Sequence, residues 1–74
     1  MSAEEKMSLE DYLSGVGLHK EDMARRAGIP VLSVQHACRG GKIAQAHADA
    51  ILKVLSEEFR RPIRLSDIDR FKVC

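Results

Sequence analysis

Aromatic residues and cysteine are scarce in this sequence. Its 74 residues include no tryptophan, one tyrosine and two phenylalanines, and the only cysteines are Cys38 and Cys74. Proteins that bind single-stranded nucleic acid stack bases on several aromatic side chains, and so few rings weaken that interpretation. Two cysteines without a repeated spacing are too few for a disulfide framework, so we expect a cytoplasmic protein.

Long apolar runs are also missing. No stretch approaches the ~18 consecutive apolar residues that a membrane-spanning helix needs. The first residues are acidic and polar, unlike a secretory signal. A chain of 74 residues has room for one domain and is too short for a dinucleotide-binding fold or a TIM barrel. We therefore predict one domain over residues 8–74, no contact with membranes, and an initial segment, residues 1–7, that either frays or extends the first helix.

The charge is balanced overall but unevenly distributed. Twelve Lys and Arg residues stand against eleven Asp and Glu, for a net charge of +1. Residues 1–17 carry a net charge of −3, residues 18–42 carry +3 and residues 43–74 carry +1. A local excess of positive charge is typical of a surface that meets phosphate, which places a candidate DNA-facing surface in the middle segment. A second basic cluster, Arg60, Arg61 and Arg64, either compensates a helix dipole or adds a nucleic-acid contact.

Apolar residues recur with helical spacing along the chain, and strand signals are weak. Ser8 and Asp11 have the spacing of a capping box, while Gly28, the Gly40–Gly41 pair and Pro62 are helix stops. This pattern predicts an all-α fold. We expect a compact bundle of five short helices and no sheet, with helices that begin near Ser8, His19, Pro30, Ala44 and Asp67.

Residues 20–39, KEDMARRAGIPVLSVQHACR, carry the most specific pattern in the sequence. Ala24 precedes Gly28 by four residues, and Val34 follows Gly28 by six. A small residue lets two helices cross closely, and glycine ends the first of them in the left-handed conformation at low cost. The spacing therefore predicts two helices joined by a turn of about three residues.

This segment resembles the helix-turn-helix DNA-binding domains of the Cro and phage-repressor (Xre-like) family. The matching stretches are HKEDMARRAGI for the second helix and PVLSVQHACRGGK for the third helix and its exit. ILKVL resembles the family's fourth-helix core and RLSDI its closing turn, so that the resemblance covers residues 8–70. It implies a lambda-repressor-like fold and a transcriptional regulator, a repressor, that binds double-stranded DNA.

The resemblance also implies which residues meet DNA. The third helix of the family enters the major groove and reads base edges, which places the base-reading positions at Val31, Leu32, Gln35 and His36. The implied phosphate ligands are Lys20, Arg26, Arg39 and Lys42, assisted by the backbone N–H groups of Gly40 and Gly41. A glutamine offers the donor and acceptor that adenine matches, and a histidine can donate to guanine or to phosphate.

Several positions depart from the family's pattern, among them three around the start of the third helix. Val31 and Leu32 stand where relatives often carry Gln, Ser or Arg, and Pro30 replaces the usual hydroxyl cap. The two apolar residues have three open interpretations: core residues of a rotated helix, contacts to thymine methyl groups, or a patch for another protein. The alternative function is therefore a protein-interaction or adaptor module on the same fold, anchored by Val31 and Leu32.

Nothing in the sequence indicates catalysis or a bound cofactor. No nucleophile, general base and orienting group occur in a recognisable pattern. The spacing of His36, Cys38 and His47 matches no common zinc site. We expect no enzyme activity, no metal ion and no cofactor, and we expect Cys38 to act as a small apolar residue.

A homodimer is expected from the number of phosphate contacts. One domain offers about three to five of them, too few for tight binding, and a dimer doubles that number. A dimer would also read two half-sites about one turn of DNA apart. The candidate dimer surface is residues 63–73, whose apolar side chains are Ile63, Leu65, Ile68, Phe71 and Val73.

Overall fold

The computed structural model describes residues 7–74. Within this range the chain forms four α-helices: α1 (Leu9–Gly15), α2 (Lys20–Ala27), α3 (Val31–Cys38) and α4 (Gln45–Phe59). Two parallel ribbons of two strands each complete it: β1 (Met7–Ser8) with β3 (Ile68–Asp69), and β2 (Lys42–Ile43) with β4 (Lys72–Val73). Of the predicted segment 1–7, only Met7 lies within the described residues, where it belongs to β1.

The fold is mixed α/β, and the prediction of an all-α, lambda-repressor-like bundle of five helices is wrong. Where we expected the fifth helix, a short 3-10 helix, Leu65–Asp67, leads into β3 and β4. The Asp67 carboxylate accepts from the N–H of Arg64 at 2.9 Å, which closes a single turn. Arg70 then takes a left-handed backbone conformation with φ of 60°, which an α-helix cannot include. The chain continues as strands that pair with residues 7–8 and 42–43.

Capping residues set the start of the first two helices. The Ser8 hydroxyl accepts from the N–H of Asp11 at 3.2 Å, and the Asp11 carboxylate accepts from the N–H of Ser8 at the same distance. The predicted capping box is therefore confirmed. At α2 the backbone N–H of His19 donates to Asp22 at 3.3 Å. Bonds of this kind satisfy backbone groups that would otherwise lack partners at a helix start.

Gly28 ends α2 as the sequence predicts. Its φ of 71° and ψ of 33° are left-handed. The N–H of Ile29 donates to the carbonyl of Ala24 at 3.0 Å, which closes the last turn. Pro30, with φ of −63°, precedes the first residue of α3. The predicted turn of three residues between these two helices, residues 28–30, is thus confirmed.

We expect Gly28→Ala to destabilise the protein by about 1–2 kcal/mol, the usual cost of a left-handed conformation for an L-residue. A Cβ at Gly28 would meet nothing within 4 Å, so that the backbone alone accounts for the loss. Gly15→Ala is the matched control, because Gly15 lies in α1 and its Cβ would make an ordinary contact with Phe59 at 3.8 Å. There we expect a gain of about 0.5–1 kcal/mol. Urea unfolding measures both changes, and an unchanged midpoint for Gly28→Ala would contradict the prediction.

The core lies where α2, α3 and α4 pack together. Four side chains have no exposed surface: Met23, Val34, Ile51 and Leu55. Ala24 is buried in α2, consistent with close approach of neighbouring helices at this position. Within residues 7–74, no helix is both long enough and apolar enough to cross a membrane.

The C-terminal segment contributes to this core. Ile63, Ile68 and Phe71 are buried within one chain, while Leu65 and Val73 are half-buried. The predicted dimer surface therefore loses three of its five apolar residues to the core of the single chain. The segment is held at two points, since β3 pairs with the residues before α1 and β4 pairs with the residues before α4.

The second basic cluster lies at the end of α4. Arg60 closes this helix in a left-handed conformation with φ of 56°. The guanidinium of Arg61 lies 5.9 Å from the centre of the Phe59 ring, whose edge-on contact with Tyr12 has a centroid distance of 5.3 Å. Two arginines of the cluster thus have structural roles at this helix end.

Candidate nucleic-acid interface

One face of α3 is exposed. Leu32, Gln35, His36 and Arg39 are spaced at i, i+3, i+4 and i+7 and therefore share one stripe. Leu32 is 71% exposed, whereas Val34, on the opposite side of the helix, is fully buried. Three of the four predicted base-reading residues thus lie on this stripe: Leu32 and His36 are exposed, and Gln35 is half-buried.

This stripe borders an open groove with a volume of about 510 Å³. The rest of its lining comes from β2, the start of α4 and Cys74. None of the described residues that line the groove is Asp or Glu, and two of them are cationic. A groove lined by cations without carboxylates attracts anions. The structure brings together here five of the eight predicted site residues: Leu32, Gln35, His36, Arg39 and Lys42.

The structure separates Val31 from Leu32. Val31 is half-buried and packs against the core. Leu32 points outward beside the groove and is, with Met7, one of two large apolar side chains exposed among the described residues. Of the three open interpretations, a core role therefore fits Val31 and does not fit Leu32.

The imidazole of His36 lies over the backbone of Gly41. A Cβ at Gly41 would meet the Nε2 atom of this ring, so the exposed His36 side chain would have to move if Gly41 were replaced. The N–H of Gly41 also donates to the His36 carbonyl at 2.9 Å, and the N–H of Gly40 donates to Ala37 at 3.0 Å. These two amides are therefore already bonded within the chain, so the expected assistance of the Gly40 and Gly41 N–H groups in phosphate binding has no free donor here.

A side-chain contact fixes the second helix that borders the groove. The Ser33 hydroxyl and the Nδ1 atom of His47 lie 3.0 Å apart, within hydrogen-bonding distance. Because Ser33 is in α3 and His47 is in the first turn of α4, this contact holds the two borders of the groove in one relative position.

Lys20 and Arg26 lie outside the groove. The Nζ atom of Lys20 is 3.9 Å from the carboxylate of Glu10. The guanidinium of Arg26 bonds to Glu58 and lies 4.0 Å from Glu57, both near the end of α4. A phosphate would compete with these carboxylates, so the two side chains support the interface less than the cations of the groove do.

Burial raises the pKa of the Cys38 thiol above its ordinary value; nearby Lys20 lowers it, and Glu10 raises it, by smaller amounts. A raised pKa keeps the thiol protonated at neutral pH, where it is neither a good nucleophile nor a ready metal ligand. The half-buried side chain packs against the core. In the part of the chain that the structure describes, no three His, Cys, Asp or Glu side chains cluster to hold a metal ion.

Two cations that sequence reasoning missed lie beside Lys42. Lys72 is its partner in the parallel ribbon of β2 and β4, and both side chains are exposed. Arg70 lies against Gly40, its Cβ and Cδ atoms each 3.5 Å from the position that a Cβ at Gly40 would take. We call the four cations at the exit of α3 the basic patch: Arg39, Lys42, Arg70 and Lys72. Their separation of about thirty residues in the chain conceals the grouping in the sequence.

Little negative charge opposes the basic patch. Among residues 7–74, no carboxylate forms an ion pair with Arg39, Lys42 or Lys72. Arg70 has a distant partner in Asp69 at 3.9 Å, and both of these side chains are exposed to solvent. Exposed pairs of this kind contribute little to stability, so an external anion can compete with Asp69 for Arg70.

Comparisons with protein-family models, with curated proteins and with solved structures gave no match to this chain. The resemblance of its sequence to the Xre-like family therefore stays a prediction.

Proposed function

We propose that this protein binds double-stranded DNA, with α3 in the major groove, and regulates transcription as a repressor. The observation that supports this function is the outward-facing stripe of α3, which borders a groove with two cations and no Asp or Glu side chain among its described lining residues. An α-helix with an exposed face fits the major groove of B-form DNA. The α2–turn–α3 segment, with the Xre-like spacing of Ala24, Gly28 and Val34, presents that helix, and such a regulator would act in the cytoplasm.

The side chains of the groove have different tasks in this proposal. Gln35 can donate to and accept from adenine, and Leu32 can contact a thymine methyl group. Arg39 and Lys42 bind phosphate and supply most of the affinity. His36 lies over Gly41 at the exit of α3, and its imidazole can donate to guanine or to phosphate. Val31 packs against the core and serves the fold rather than the reading of bases.

The active form in this proposal is a homodimer, because a single set of groove cations gives few phosphate contacts. A dimer aligns two α3 helices with half-sites about one DNA turn, ~34 Å, apart. Sedimentation of the protein with and without duplex DNA measures this state. If every bound duplex carried a single chain, the proposed dimer would be wrong, while the proposal that the protein binds DNA would stand.

We expect the double variant Arg39→Gln/Lys42→Gln to bind random duplex DNA about 60-fold more weakly than the wild type at 0.1 M salt. The slope of log K against log salt should also become shallower, by about 0.9 for each phosphate contact that is lost. Fluorescence anisotropy over a range of salt concentrations measures both quantities. Lys53→Gln/Arg25→Gln is the matched control, because it removes the same charge from exposed side chains that do not line the groove. Failure of the wild-type protein to bind duplex DNA at about 50 mM salt, where nonspecific binding is strong, would overturn the proposal.

A protein-interaction module is the second candidate function, favoured by the 71% exposure of Leu32. An apolar side chain on a polar rim is a typical anchor for a partner protein. Leu32→Asp separates the two functions without harm to the helix, because an acidic residue suits the first turn of α3. The interaction function would be assigned instead if the wild-type protein bound no duplex DNA but formed a complex with another protein, and if Leu32→Asp abolished that complex.

A further inference from the structure

We propose that the basic patch extends the DNA-binding surface beyond the groove, with Arg70 and Lys72 holding the sugar–phosphate backbone of the strand that passes the exit of α3. This inference rests on the proposed function and extends it. The additional contacts come from the C-terminal segment, outside the helix pair that carries base reading. The ligand is the phosphodiester backbone of duplex DNA, without regard to its base sequence.

The pairing of Lys42 with Lys72 is the first observation. The two residues are direct partners in the parallel ribbon, so their side chains leave the same face of adjacent strands, which lie about 4.8 Å apart. Two ammonium groups on the same face of such a narrow ribbon repel each other when their side chains approach. Among the described residues no carboxylate pairs with either of them. An external anion bound between the two lysines would relieve this repulsion.

The position of Arg70 is the second observation. Its left-handed backbone, with φ of 60°, separates β3 from β4 and turns the side chain toward the exit of α3. The stem of this side chain lies against Gly40, which itself has a φ of 84°. Because Gly40 directly follows Arg39, the geometry brings the cation of the C-terminal segment next to the end of the reading helix.

The chemistry of the patch points to phosphate rather than to bases. Its four side chains are all donors without acceptors, and lysine acts as a point charge that accepts many geometries. Such groups position a protein on the duplex and carry no sequence information. Lys42 belongs both to the patch and to the lining of the groove, so the two surfaces are continuous.

The test compares Lys72→Gln and Arg70→Gln with the control Lys53→Gln, all in the full chain. We expect each patch variant to bind random duplex about eightfold more weakly at 0.1 M salt and to lower the salt slope by about 0.9. The ratio between the affinity for a preferred duplex, chosen by selection from random sequences with the wild-type protein, and the affinity for random duplex should be the same in the variants as in the wild type. Only contacts to the DNA backbone are lost, and these carry no sequence information. Lys72→Arg, which keeps the charge, should restore the wild-type slope.

The outcomes distinguish this inference from the function on which it rests. Suppose that the wild-type protein binds duplex DNA and that Lys72→Gln and Arg70→Gln bind it with the same salt slope as the wild type. That result would overturn this inference and leave the proposed function standing. Wild-type protein that binds no duplex would overturn both. All three substituted side chains are exposed, so we expect the variants to unfold in urea at the wild-type midpoint. An unchanged midpoint shows that a weaker affinity comes from the lost charge and not from a less stable fold.

Discussion

Phe71→Ala should destabilise the protein by about 3–5 kcal/mol, the usual loss for a buried phenylalanine. Phe71 is only 5% exposed although it lies three residues before Cys74, the last residue of this sequence. It joins the same buried cluster as Ile63 and Ile68, between the two short strands of the segment. A domain of this size has a total stability of about 4–11 kcal/mol, so this one side chain accounts for a large share.

Urea unfolding followed by circular dichroism measures the loss at Phe71. Phe71→Leu keeps an apolar side chain and should lose less, while Lys72→Ala, at an exposed neighbour, should change the stability by no more than about 0.5 kcal/mol. If Phe71→Ala unfolded at the wild-type midpoint, the C-terminal segment would not be part of the core, and the ribbon that holds Lys72 beside Lys42 would lose its support.

Leu55→Ala should cost about 2–5 kcal/mol, through lost transfer energy and the cavity left behind. Leu55 is fully buried in α4, in the cluster that also holds Met23 and Val34. Leu52→Ala is the matched control on the same helix, where the leucine is half-buried. Both changes remove the same atoms and alter helix propensity equally, so the difference between them isolates burial.

The two leucine variants are compared by the free energy of unfolding in urea. We expect Leu52→Ala to lose clearly less than Leu55→Ala, because part of its side chain already contacts water in the folded protein. Equal losses at the two positions would mean that α4 is rotated about its axis relative to the structure described here.

The parts of the fold that depend on near neighbours in the chain were predictable. The capping box of Ser8 and Asp11 spans three residues, and the left-handed Gly28 closes a turn that begins at Ala24. The ribbons have no such local signal. A strand of two residues is too short for alternation to be visible, and Met7 pairs with Ile68 across most of the chain. The false fifth helix followed from treating the local turn at Asp67 as the start of a longer element.

The candidate site also has features that were predictable from near neighbours in the chain and features that were not. The spacing of α3 predicted the exposed stripe, since a helix repeats every 3.6 residues. The burial of Val31 depends on how that helix is rotated on the core, which spacing alone does not fix. The ion pairs of Lys20 with Glu10 and of Arg26 with Glu58 join residues from different helices. Such contacts between distant residues appear only once the helices have packed.

The final residue of this sequence has a practical consequence. The N–H of Cys74 donates to the carbonyl of Ile43 at 3.0 Å, and the exposed thiol faces the groove beside α3. The other thiol is half-buried and has a raised pKa, so maleimide reagents at mildly acidic pH should modify Cys74 first. A fluorophore attached there would sit beside the outward-facing stripe of α3 and report a ligand bound in the groove by a change in emission, without any engineered cysteine.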